Sequence, residues 1–201
     1  MTTEALALKQ LYDGWDSHQL ALMRAVTPLT SEQLAYRPAP HLQTVGELVC
    51  HLSLARLWWF HKMGAPGSAA LASQTAPWAG EKINAADPNE LRRWTEALEQ
   101  LEQTIVTNHD EQTRWLALTW QMIETTLKQW TVADLMQTYR HLYGGKVYAV
   151  SRQWTIWRIM SHDLHHGGEI SLALGMQGIE LPDLGDQGGH LTELPLAEAG
   201  D

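Results

Sequence analysis

The stretch His162-Asp163-Leu164-His165-His166-Gly167-Gly168-Glu169 gathers the densest set of side chains able to hold a metal or move a proton. On a helix, at about 100° per residue, His166 falls ~40° from His162 and one turn along, so both imidazoles can reach one ion. Glu169 falls ~20° to the other side of His162, and His165 ~60° away on that same edge, so spacing also permits a His162/His165 pair. Bare spacing is weak evidence, because ten His in 201 residues produce about half an i,i+4 pair by chance. Placement says more. The pair shares a stripe with Ile159, Ile170 and Ala173, which should face a core, where an imidazole must be ligated or hydrogen-bonded. Metal ligands and satisfied core histidines both remain open on periodicity alone.

His51 adds a third imidazole from another segment, among Leu48, Leu52 and Ala55 near the inward face of an earlier helix. Three histidines on two facing helices would form a nitrogen site with open positions, as expected of a catalytic rather than a structural metal. Glu47 shares that face one turn earlier, but Thr44-x-x-Glu47 reads as a capping box. Glu169 could act as a catalytic proton carrier or as an acceptor that orients a ligand imidazole. Cys50 is turned ~100° from His51 and reads as core rather than nucleophile. His18, His41, His61, His109, His141 and His190 have no comparable setting and read as surface or loop residues. His162-Asp163-Leu164-His165-His166 approaches H-E-x-x-H, but Asp is one methylene short and no sheet is predicted to frame a peptidase cleft.

Long helical segments must position these residues. Leu8, Leu11, Trp15, Leu22 and Val26 trace one stripe over about residues 6–26, ended by Pro28. Thr30 to Leu34 reads as a short helical turn, and Pro38 and Pro40 hold the chain extended. The next helix starts at Thr44 and stops at Gly64. Residues 64–87 read as a long connection, partly helical, whose length makes it a candidate pocket lid. Asp87-Pro88 opens another helix. The runs Leu91 to Ile105 and Leu116 to Trp130 form one long helix or two broken near Asn108. Residues 139–148 around Gly144-Gly145 read as a turn or small hairpin. A last helix covers about residues 151–176, followed by an acidic, glycine-rich tail over 183–201.

Composition excludes several classes. Fourteen Lys and Arg against 23 Asp and Glu give a formal charge of −9, without a basic stripe. Nucleic acid and anionic membrane surfaces are therefore not expected partners. One cysteine excludes an intramolecular disulfide and a cysteine-rich zinc site. The opening residues lack a signal-peptide pattern and no apolar run is long enough to span a bilayer, so cytoplasmic residence is expected. Ten Trp against one Phe predict indoles at helix contacts and pocket walls.

The segment Thr44-Val45-Gly46-Glu47-Leu48-Val49-Cys50-His51-Leu52 resembles the second-helix motif of the DinB/YfiT-like metalloenzymes. His162-Asp163-Leu164-His165-His166-Gly167-Gly168-Glu169-Ile170, running on to Leu174-x-x-x-Gly178, is similar to that family's last-helix H-x-x-x-H signature. Trp130 to Leu135 looks like the end of its third helix. The resemblance covers roughly residues 6–182 and implies an all-α antiparallel four-helix bundle over 1–182, with 183–201 as a tail. It implies metal ligands at His51, His162 and His166, and sets His165 aside. The implied cofactor is a divalent metal ion, zinc or nickel ahead of iron or manganese. Homodimers are expected. The leading function is a thiol S-transferase passing a low-molecular-weight thiol to a small electrophile. A metal-dependent hydrolase of an amide or ester, or a non-enzymatic, stress-related metal-binding bundle, is the alternative. The stretch from Gly64 to Asp110 and the tail depart from the family pattern and leave the pocket's shape open.

Overall fold

A computed structural model describes residues 8–181 and Leu184; the tail expected over 183–201, and His190 in it, otherwise lie outside the described residues. The described residues are mostly helical, with one antiparallel strand pair among them. The helix expected over residues 6–26 is broken in two. Helices α1 (Leu8–Leu11) and α2 (Trp15–Val26) meet at Gly14, whose φ of 91° lies in the left-handed region. Glycine adopts it without the Cβ clash that periodicity alone does not register. Leu11, placed on the inward stripe by sequence, is 53% exposed.

Thr30 caps α3 (Ser31–Leu34), and Thr44 caps α4 (Val45–Lys62), each with a reciprocal capping box. Glu47 Oε2 accepts from the Thr44 backbone N–H at 2.7 Å while Arg37 donates to its Oε1 at 2.8 Å. The stretch read as a lid-like connection contains α5 (Ser68–Thr75) and a 3-10 turn, Pro77–Gly80. Leu71, Ala72, Ala79, Ile83 and Ala85 are buried in it. Alanines let this segment lie close against α4, so it is part of the core rather than a cover.

Asp87 caps α6 (Pro88–Ile105), and Asn108 caps α7 (His109–Gln129), so the ambiguous third segment is two helices. The chain from Trp130 leaves α7 and restarts as a separate turn, α8 (Val132–Leu135). Strands β1 (Thr138–Tyr143) and β2 (Lys146–Ser151) form a hairpin in which Tyr143 pairs with Lys146. Gly144 and Gly145 turn it with φ of 56° and 75°, the left-handed pair that a two-residue loop needs. The buried Tyr139 hydroxyl and Thr155 Oγ1, 2.8 Å apart, tie the hairpin to α9 (Arg152–Gly175).

Helix α4 packs on both α7 and α9. It runs antiparallel to α9: His51 meets His162, and eight residues on, Trp59 meets Trp154. The apolar core falls into two clusters. One lies toward the hairpin and includes Leu57, Phe60, Trp94 and Ile156; the other includes Leu22, Leu48, Leu52 and Ile170. A buried polar band separates them. Its centre is the ion pair of Arg56 with Asp163, 2.9 Å apart and fully buried. Trp15 donates its indole N–H to the same carboxylate oxygen at 2.8 Å, and Arg56 reaches the Leu116 carbonyl at 3.3 Å. Four helices, α2, α4, α7 and α9, thus converge on one carboxylate and its partner.

The histidines read as surface residues divide. His41 is exposed, but His18 and His61 are each 1% exposed and His141 is 8% exposed. Burial is the main cause that pushes His61 and His141 down to about 4. In the unfolded chain an imidazole titrates near 6.5. Acid therefore protonates the unfolded state first, and stability present above about pH 6.5 is lost as pH falls toward 4. The thermal midpoint should be flat above that range and drop below it; a midpoint indifferent to pH between 7 and 5 would contradict this burial. Arg56→Leu alone should lower unfolding free energy by about 3–5 kcal/mol, because it strands the Asp163 charge. Adding Asp163→Leu should restore part of that loss, measured by denaturant titration; strictly additive losses would deny the pair.

Candidate metal centre

His51 sits in the second turn of α4, and His162 and His166 sit on successive turns of α9. The capping box at Thr44 fixes where α4 begins, and the Arg56–Asp163 pair fixes how far α9 has slid along it. The consequence is a cluster in which one ligand-capable atom from each of the three imidazoles lies within 4.8 Å of the others. The Nε2 atoms of His51 and His162 are 3.0 Å apart. That separation is also the one two imidazole ligands adopt at bonds of about 2.1 Å and an angle near 90° about one ion.

Electrostatics keep the rings in the form a metal requires. His162 is pushed down to about 3, first by burial and then by the neighbouring His166 and His51. His51 is lowered too, chiefly by burial and by His166, with Glu169 opposing. Both imidazoles are therefore neutral near pH 7 and present lone pairs, which ligation needs. His162 Nδ1 is buried without a partner, so the polar contact of that ring is the Nε2 edge it shares with His51.

Glu169 stands outside the cluster. Its Oε2 lies 2.5 Å from His166 Nδ1, and its Oε1 lies 3.5 Å from His165 Nε2. With Nδ1 engaged, His166 presents Nε2, the arrangement in which a carboxylate fixes the tautomer of a ligating histidine. His165, whose side chain is 67% exposed, joins only the outer group with His166 and Glu169. Glu47 is held by Thr44 and Arg37 at the start of α4. Cys50 is fully buried, and burial pushes its thiol up to about 12, which removes it as a nucleophile. Asp163, the residue that would play the carboxylate of an H-E-x-x-H site, is turned into the ion pair with Arg56. A peptidase reading loses its base.

Sequence reasoning missed the residues behind the cluster. His18 Nε2 lies 3.1 Å from the Asp163 carbonyl. Its position was legible: three residues after Trp15 and four before Leu22, it falls on the buried stripe of α2. Arg56, four residues after Leu52 on the inward face of α4, carried a similar signal. The double glycine also has a reason. A Cβ on Gly167 would lie 2.5 Å from His18 Cε1 and 2.9 Å from Nε2, whereas one on Gly168 would meet nothing.

Fold and site together define a mostly helical protein with a three-histidine cluster between two antiparallel helices. Residues 15–170 match the family model of the DinB superfamily, and the chain belongs to that superfamily. Among solved structures, a DinB-like protein from Bacillus cereus ATCC 10987 is similar, at 17% identity and a TM-score of 0.46, over 84% of this chain and 91% of that one. No curated protein matches the sequence.

Gly167→Ala should destabilise the fold by about 1–3 kcal/mol, since the ring it meets is buried and held. Gly168→Ala should be neutral or slightly stabilising. Equal effects at the two positions, measured by thermal unfolding, would refute the His18 contact.

Proposed function

We propose that the chain is a metal-dependent enzyme that transfers a small cellular thiol to an electrophilic substrate. The observation that carries the reading is a cluster of three imidazoles, two of them held neutral, for which no protein side chain among the described residues stands ready as a fourth ligand. Glu47 and Glu169 are engaged elsewhere, by Thr44 with Arg37 and by His166. A structural zinc is normally closed by a fourth protein donor, whereas a catalytic one keeps a position for water or substrate. His51, His162 and His166 would hold the ion. When bound, such an ion supplies charge that lowers the pKa of a thiol and favours the thiolate near neutral pH.

The chain's own residues would do the rest. His166 is oriented by Glu169, which keeps its Nδ1 proton away from the site. Arg56 and Asp163 hold the backbone of α9 beside His162. The membership in the DinB superfamily supports a metal-binding enzyme in general terms; the thiol and the electrophile are the proposal's own content. No described helix is long and apolar enough to cross a membrane.

Purified protein should carry about one divalent ion per chain, and chelation should abolish thiol conjugation, with activity returning on adding metal back. His51→Ala should lose the ion. Glu169→Gln should weaken its affinity about 10–100-fold, and His165→Ala should change it little. Conjugation that survives complete metal removal across a panel of thiols would refute the proposal.

A further inference from the structure

A cavity of about 860 Å³ opens between the hairpin, the last turns of α4 and the first turns of α9. Its volume is in the range of small-molecule sites. Trp58, Trp59, Trp154, Tyr148 and Val150 supply apolar and aromatic wall, and Arg158 and His141 line it as well. Arg158 lies one helical turn before His162, roughly 6 Å along α9, and none of the three cluster histidines lines the cavity.

Arg158 is the cation that lines this wall, and Lys62 is buried beside the same indoles without lining the cavity. The Arg158 guanidinium lies 5.1 Å from the Trp59 ring centroid and 5.5 Å from that of Trp154. Lys62, 1% exposed, places Nζ 3.7 Å from the Trp59 centroid and 4.3 Å from that of Trp58, with no hydrogen-bond partner. His141 Nδ1 is likewise buried without a partner, beside Trp59. Neither Arg158 nor Lys62 pairs with a carboxylate among the described residues, in a chain whose formal charge is −9. Burial first, and Arg158 second, push Lys62 down to about 6, so its amine is largely neutral near pH 7 and Arg158 carries the positive charge here. Arg158 thus offers its guanidinium to the cavity with no carboxylate of the described residues occupying it.

We infer that this cavity binds a small organic anion with an aromatic or apolar body, its acid group on Arg158 and its body between Trp59, Trp154 and the hairpin. A planar guanidinium takes a carboxylate in a bidentate pair, and its stacking on two indoles holds the fork in place. Binding itself does not require a metal. Identifying this anion as the electrophile of the transfer reaction does rest on the function proposed above.

The test is calorimetric titration of the chelated, metal-free protein with naphthylacetate and with its neutral amide, naphthylacetamide. The acid should bind about tenfold or more tightly than the amide, the gain of a charge-assisted hydrogen-bonded pair. Arg158→Gln should remove that preference while leaving the amide unchanged, and Arg158→Lys should keep part of it. Arg158 is exposed, so these variants should fold, as their thermal midpoints would verify. Trp154→Ala should weaken both ligands, and His51→Ala neither. Equal binding of acid and amide, or an acid preference that survives Arg158→Gln, would overturn the inference. So would acid binding that appears only with metal and vanishes in His51→Ala, which would put the anion on the ion. Absence of binding, with sedimentation showing a dimer that Trp154→Ala dissociates, would assign the face to a second copy of the chain. Loss of metal-dependent conjugation with this selectivity intact would sink the transferase reading alone.

Discussion

The Arg56–Asp163 ion pair is the constraint on which the site depends. Two antiparallel helices with largely apolar faces can pack in several registers that bury similar area, because the hydrophobic effect is not directional. A fully buried charge pair is. Sliding α9 along α4 by one turn would separate the guanidinium from its carboxylate by about 5 Å and leave both without solvent. Register is thus set by a large penalty rather than by a small preference, and this register brings His162 to His51 and Trp154 to Trp59.

Trp15 and His18 extend that constraint to α2, one through the Asp163 carboxylate and one through its carbonyl. Gly167 allows the His18 ring to lie against α9. Within the motif His162 to Ile170, neighbouring residues therefore do opposite work. His162 and His166 face the cluster, Asp163 and Gly167 face the buried band, Glu169 steadies His166, and Ile170 belongs to the core beyond. A site on rigid helices, with its supporting contacts on neighbouring helices, is held more closely than one on loops.

Much of this was legible in the sequence. Periodicity located α4, α6 and α9, and for the first two Thr44 and Asp87 announce the helix start in local chemistry. The proximity of His51 to the last helix was not local; it followed from stripes facing a common core and from the family resemblance. Where sequence reading failed, tertiary burial had overridden composition. The alanine-rich stretch after Gly64 looked like loop but packs into the core, and His18, His61 and His141 looked like surface but are buried. The break at Gly14 depends on a single backbone angle, which hydrophobic spacing does not encode.

X-ray absorption spectroscopy on the metal-loaded protein would count the imidazoles that hold the ion. Three imidazole scatterers are expected at about 2.0–2.1 Å with lighter, exchangeable oxygen or nitrogen completing the sphere, and two imidazoles in His162→Ala. A sulfur scatterer in the metal-loaded protein before any thiol is added, or an imidazole count unchanged by His162→Ala, would contradict the three-histidine site.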